Sequence, residues 1–261
     1  MNSKLIFFDI DGTLWDYHNM IPESTKLAIK KLKENGHKTF INTGRSRGFV
    51  RNKELLNLGF DGIVSGCGTM IEMNGKTLFC QELAKNVVED TLNIIRGYGF
   101  KPILEGKQYL YMDHEDFDGQ SYGEKVMAEM GKDLRSIKDS WNNWEICKLS
   151  CDTKDVETSE CFKKLEKYYY AIIHNEDVVE FVPNGFSKGT GIKKTCELLG
   201  QDIEDTFAFG DSENDLDMLE TANIGIAMGN GTEKAKQTAN YITDALVDDG
   251  IYNACVHYGL I

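Results

Sequence analysis

Four apolar residues, Leu5–Phe8, run without a polar break into Asp9-Ile10-Asp11-Gly12-Thr13. An unalternated apolar run of that length suits a strand buried on both faces, the habit of parallel sheets whose crossover helices cover both sides. The rhythm that follows fits. Residues 21–36 place Pro22 at a helix start and Gly36 at its stop, with Ala28 and Leu32 on one face and Ile29 beside them. Residues 37–45 read as a second strand ending in a polar loop, 47–59 as a second helix and 60–69 as a third strand. Strand, helix, strand, helix, strand is the signature of an α/β sheet with crossover connections.

The pattern changes after residue 82. Residues 101–113, 144–152 and 168–184 read as strands with hairpin-like partners, lying among helical stretches at 83–99 and 152–169. From Lys188 the α/β alternation returns: helix 190–200 closed by Gly200, strand 205–211, helix 213–222, strand 224–231 and helix 232–239. The expected fold is a Rossmann-like parallel α/β core with helices on both faces, residues 1–82 and 184–261. An inserted α+β cap domain is expected over residues 83–183.

Charge narrows the partners. The chain of 261 residues carries a formal net charge of −13 and no dense Lys/Arg run, so nucleic acid and anionic membranes are not expected partners. A phosphate-bearing ligand would need a local positive device such as a metal ion. The seven cysteines are scattered and form no C-x-x-C pair, which reads as reduced thiols in a cytoplasmic protein. The apolar run at the N-terminus is too short for a signal peptide or membrane span.

Polar residues collect where the strands end, and ligands of open α/β sheets bind beyond the carboxyl ends of strands. Asp9 and Asp11 follow the first strand; Thr43, Gly44 and Arg45 the second; Ser65–Thr69 the third; Asp211, Asn214 and Asp215 the late one. On an extended strand, residues two apart point the same way, with Cα atoms about 6.6 Å apart. A Mg²⁺ ion with ligands at about 2.1 Å could bridge the Asp9 carboxylate and a group from Asp11, with Asp211 as a third oxygen. Taken singly, DIDGT also suits an Asp-Gly turn, and GDSEND a helix N-terminus that favours acids.

Together, DIDGT, the Thr of NTGR, the Lys of FSKGTGI and GDSEND stand in an order and spacing that resembles the haloacid dehalogenase superfamily, in particular its Cof-like phosphatases with a large cap (subclass IIB). The resemblance implies a phosphatase in which Asp9 is the nucleophile and forms an aspartyl-phosphate. Asp11 would protonate the leaving alcohol and then deprotonate water. Thr43, Gly44 and Lys188 would hold the phosphoryl group, Asn214 would contact the phosphate or the ligand, Arg45 would reach substrate or cap its loop, and Asp9, Asp11, Asp211 and, behind them, Asp215 would surround Mg²⁺. Two departures stand out. SGCGT occupies the place where relatives often carry Asn-Gly-Ala, putting Cys67 or Thr69 near that amide's position, and ALVDDGI lacks an Asn common near the C-terminus.

The inserted segment is the expected lid. Its Tyr109, Tyr111, Tyr122, Trp141 and Trp144 suit either stacking on a ligand ring or sheet packing, and its acidic stretch HNEDVVE reads as solvated. A covered site favours a small soluble phosphate ester, handled by a monomer or small homo-oligomer. Rival readings are a sugar phosphomutase and a non-catalytic phosphometabolite sensor on the same fold.

Overall fold

A computed structural model describes residues 3–117, 121–141, 143–154, 156–175 and 177–261. By their packing these divide into two compact units. The first comprises Met1–Gly44, Arg51–Phe79 and Ser187–Ile261, the second Arg45–Val50 and Cys80–Phe186. The second unit's long segment begins at Cys80 and ends at Phe186, and six residues that follow Gly44 pack with it.

In chain order the first unit opens with β1 (Leu5–Phe8), α1 (Glu23–Glu34), β2 (Lys38–Asn42), α2 (Lys53–Leu56), β3 (Gly62–Ser65), β4 (Met70–Met73) and β5 (Lys76–Cys80). The second carries α3 (Lys85–Gly97), β6 (Lys101–Gly106), β7 (Leu110–Tyr111), α4 (Ser121–Met130), β8 (Leu134–Arg135), β9 (Ile146–Asp152), α5 (Ser159–Leu165), β10 (Tyr169–Asn175) and β11 (Val178–Pro183). The chain then returns through α6 (Lys188–Leu199), β12 (Thr206–Gly210), α7 (Leu216–Thr221), β13 (Ile224–Ala227), α8 (Glu233–Thr238), β14 (Tyr241–Ile242) and α9 (Gly250–His257). Among the described residues no helix is long and apolar enough to cross a membrane.

The first unit's sheet has the order β14-β13-β12-β1-β2-β3-β4-β5. Its strands from β14 to β3 pair in parallel, and β4 turns back antiparallel on β3. All four residues of β1 are buried, as the unbroken apolar run requires, and Phe8 stacks on Phe209 of β12 with ring centroids 4.9 Å apart. In this register Phe8 lies opposite both Phe209 and Ile41, so the chain leaves β1, β2 and β12 at one rim. That places Asp9, Thr43 and Asp211 side by side. Helix α6 carries the expected stop: Gly200 caps it in the left-handed conformation, φ 62°.

Several elements differ from the sequence expectation, which is silent on α4 and α9. The helix expected over 47–59 is a short 3-10 turn, Arg47–Phe49, followed by the single turn α2. The segment is divided, Arg45–Val50 packing with the second unit and Arg51 onward with the first, and a Cβ on Gly48 would stand 2.8 Å from the Gly106 carbonyl of β6. The helix expected from 213 begins as a 3-10 turn, Glu213–Asp215, before α7. The β4–β5 hairpin was not expected at all. Its Asn74-Gly75 turn, with φ of 50° and 73°, is the ordinary two-residue hairpin signal and was readable.

The second unit is a six-stranded sheet, β10-β11-β9-β6-β7-β8. Val88, Leu92 and Ile95 of α3 and Cys161 and Leu165 of α5 pack with Leu149, Cys151 and Phe181 of the strands. A second apolar cluster joins Val126 and Met130 of α4 to Ile103, Met112 and Phe117, with Phe49 against it. Of the two readings open for the aromatic residues, packing holds for most: Tyr111 and Trp144 are buried, Tyr109 lies under the Arg135 guanidinium, and Tyr122 donates to Ser150 Oγ at 2.9 Å. Trp141 is half exposed, edge-on to Trp144.

HNEDVVE is not simply a solvated stretch. Lys148 on β9 is fully buried, 2.5 Å from Glu180 and 3.8 Å from Glu105, and His174 Nε2 lies 3.0 Å from Glu180. Burial works to raise the Glu180 carboxyl, but Lys148 and His174 outweigh it and hold it at about 2. A depressed carboxyl stabilises the fold above its unfolded pKa and loses that contribution as pH falls towards the folded value. Lys148→Met is therefore expected to cost ~3–5 kcal/mol near neutral pH, since the buried Glu105 and the half-buried Glu180 lose their shared cation. Denaturant unfolding should show that gap narrowing on acidification from pH 5 towards 2; an unchanged midpoint at pH 7 would refute it.

Candidate active site

The rim where β1, β2 and β12 end carries the polar cluster. The Asp9 amide donates to the Phe209 carbonyl at 3.0 Å, extending the parallel pairing by one bond and holding the side chain at the sheet edge. Asp9 is buried. Lys188 opens α6, whose start is fixed by a capping box between Ser187 and Thr190. Its ammonium is 1% exposed and stands 2.6 Å from Asp9 Oδ1, 2.6 Å from Asp215 Oδ1 and 3.2 Å from Asn214 Oδ1. The Asn42 side-chain amide donates to the Lys188 carbonyl at 3.0 Å, pinning the helix start to the end of β2.

After β12 the chain turns sharply. Asp215 Oδ2 accepts the amides of Asp211 and Ser212, each at 3.0 Å, so this carboxylate both builds the turn and faces Lys188 with its other oxygen. Asp211 Oδ1 accepts from the Thr13 hydroxyl at 2.9 Å. Gly12 makes the approach possible: its φ is 85°, and a Cβ there would stand 2.4 Å from Asp211 Oδ2.

Asp9, Asp211 and Asp215 each offer an oxygen, and these oxygens lie within 4.8 Å of one another. Asp11 stands outside this trio. The extended-strand geometry does not apply to it, because β1 ends at Phe8 and residues 10–15 turn back through amide bonds to the Ile10 carbonyl. Its side chain is exposed and accepts from Trp15 Nε1 at 2.9 Å. A cavity of about 510 Å³ opens beside Asp11 and Asp211, walled by Tyr17, Asn230 and Leu246.

The electrostatics follow from burial. Desolvation, then Asp215, push the Asp9 carboxyl well above its ordinary range; Lys188 opposes them, and Asp211 and Asp11 add to the rise. Burial and Asp215 likewise raise Asp211 to about 6, against the Thr13 hydrogen bond and Lys188. Burial alone would lower Lys188, but Asp215 and Asp9 outweigh it and hold the ammonium charged. Three carboxylates against one ammonium leave two formal negative charges in a buried site. An all-oxygen set with that deficit suits a hard divalent cation.

The remaining predicted residues are placed as follows. Thr43 is buried just past β2; its amide donates to the Val64 carbonyl and its carbonyl accepts from Cys67. Gly44 ends the first unit's segment, and Arg45 belongs to the second, where its guanidinium pairs with Glu129 at 3.0 Å and covers the Phe49 ring. Cys67 is buried with φ 53°, and the Thr69 hydroxyl donates to the Gly66 carbonyl of its own loop. Asn42, Thr13 and Ser212 were not singled out from the sequence. All three lie inside the quoted motifs; Asn42, the first residue of NTGR, has its partner 146 positions away, so nothing local marks its role.

Similarity to known proteins places the chain in a family. A sequence model of the haloacid dehalogenase-like hydrolase family matches residues 6–255. The Bacillus subtilis (strain 168) protein named "Putative phosphatase YkrA" is 33% identical over 276 residues, covering 100% of both chains. From the same organism, 5-amino-6-(5-phospho-D-ribitylamino)uracil phosphatase YitU is 28% identical over 264 residues, 95% of this chain and 94% of that one. Among solved structures, the HAD subclass IIB sugar phosphatase BT4131 superposes with a TM-score of 0.82 at 26% identity, over 99% of this chain and 100% of the other. The strand-end acids, the buried lysine and the match from end to end have one common reading: the chain belongs to the haloacid dehalogenase-like hydrolase family.

Proposed function

We propose that this protein is a Mg²⁺-dependent phosphatase that hydrolyses small phosphorylated metabolites through an aspartyl-phosphate. The observation that carries the reading is the Lys188 ammonium set between Asp9 and Asp215, with Asp211 beside them. A lone buried lysine would be costly; here it neutralises a carboxylate at the place where a phosphoryl dianion must approach one.

In this reading Asp9 Oδ attacks phosphorus, and the bond from phosphorus to the leaving alcohol breaks. Asp11 gives that alcohol its proton and takes one from the water that cleaves the acyl phosphate. Asp11 is exposed on the turn after β1, beside the cavity, where it can reach a departing group. Thr43 and Gly44 orient the phosphoryl oxygens, Lys188 screens their charge, and Asp215 and Asn214 hold Lys188 in place. Asp9, Asp211 and Asp215 are the residues that would hold Mg²⁺, which when bound supplies charge neutralisation at the phosphoryl group. Arg45, paired with Glu129, would have to exchange that partner to reach substrate.

The test is phosphate release across sugar phosphates, nucleotides, pyridoxal phosphate, flavin mononucleotide and 5-amino-6-(5-phospho-D-ribitylamino)uracil. Turnover is expected on at least one of them, abolished by EDTA and restored by Mg²⁺. Isomerised sugar phosphate without free phosphate would favour the mutase instead, and silence on every compound would favour the sensor.

A further inference from the structure

Seven cysteines are described, all as free thiols, and six of them are buried. Cys80, at the end of β5 where the chain enters the second unit, is the half-buried one. Its Sγ lies 3.9 Å from Sγ of Cys147 on β9. The two segments are tied together on either side of the pair. The Leu83 amide donates to the Ile146 carbonyl at 2.7 Å. The Lys107 ammonium lies 2.9 Å from Glu82 and 3.7 Å from Glu145, bridging residues two positions from each cysteine.

We infer that Cys80 and Cys147 are a dithiol modification site, closing to a reversible intramolecular disulfide when the protein meets a peroxide. A disulfide needs the sulfurs at about 2.05 Å, so each must swing by roughly 1 Å, which side-chain rotation can supply while the backbone ties stay in place.

The roles of the two sulfurs are unequal. The hydrogen bond with Cys147 lowers the Cys80 pKa; burial opposes it, Lys107 helps, and Glu82 and Glu145 oppose. The same hydrogen bond, with burial, pushes Cys147 far up. Cys80 is the half-buried sulfur and Cys147 the buried one, so a peroxide reaches Cys80 first and Cys147 is the resolving thiol. The Cys80 sulfur attacks a peroxide oxygen, the O–O bond breaks, and one water leaves with the thiol's proton, giving a sulfenic acid. The Cys147 sulfur then attacks that sulfur, the S–O bond breaks, and a second water leaves with the Cys147 proton. Each cysteine is oxidised by one electron equivalent, and one peroxide is reduced to two waters. A dithiol reductant reverses the bond by exchange. The link would fasten the entry segment of the second unit to that unit's own sheet.

The test treats the full-length protein with stoichiometric hydrogen peroxide, alkylates the remaining thiols and maps the peptides by mass spectrometry. The expected product, in monomeric protein, is one linked pair joining the peptides of Cys80 and Cys147, erased by dithiothreitol and missing in Cys80→Ser. Wild-type protein alone decides the matter if a serine variant folds poorly. Sulfinic or sulfonic acid at Cys80 with Cys147 still open to alkylation on unfolding would overturn the assignment. So would a link only between molecules.

Discussion

Asp9→Asn is expected to cut phosphate release by on the order of 10⁴-fold or more, with the fold left intact. Asparagine has the same shape, and its carbonyl oxygen can still accept from the Lys188 ammonium, now 2.6 Å from Asp9 Oδ1. What it lacks is a carboxylate that can bond to phosphorus, and loss of a nucleophile is among the most severe single changes an active site can suffer. Stability should move the other way. Burial and Asp215 disfavour the ionised form of Asp9, so a neutral amide removes a repulsion from the metal-free protein. Phosphate-release kinetics beside a thermal melt in EDTA would check both halves. Near-normal turnover would end the covalent reading; a collapsed fold would end the electrostatic one.

Lys188→Met is expected to cost at least ~10²-fold in turnover, the scale seen when one charge-stabilising donor is removed from a reacting centre. Its buried ammonium opposes the rise of the Asp9 carboxyl, so its loss leaves the nucleophile protonated up to a higher pH. The acid limb of the pH–rate profile should therefore move to higher pH as well as dropping in height. Lys188→Arg should not rescue activity: the guanidinium keeps the charge but is larger, and the site is closed around the lysine. A Lys188→Met enzyme with an unshifted acid limb would show that the lysine only fills space.

The chain's α/β alternation was legible because buried parallel strands write themselves as unbroken apolar runs, and β1 and β12 both do. Asp9 and Asp211 were legible for a related reason: strand ends place the following residues predictably; Lys188 was legible through its order and spacing before Asp211. Local rules failed where distant packing decides. Residues 47–59 have a helical pattern, yet the segment is divided between the two units after Val50 and holds only short turns. Asp11 was assigned the geometry of an extended strand, while the Ile10 carbonyl gathers the next turn around itself. The acids of the second unit looked solvated because nothing in the local stretch announces Lys148, which meets Glu180 from a neighbouring strand. The Asn74-Gly75 turn is the one miss with a plain local signal.

Residues 45–50 have a consequence for anyone wishing to exchange the inserted segment between relatives. The Ser46 amide donates to Glu105, the Phe49 ring packs among residues of the second unit, and Arg45 reaches Glu129. Cutting the gene only at positions 80 and 186 would strand this hexapeptide without its hosts. A working chimera must import it together with the larger insert, so the transplantable piece is discontinuous and its graft needs four splice points rather than two.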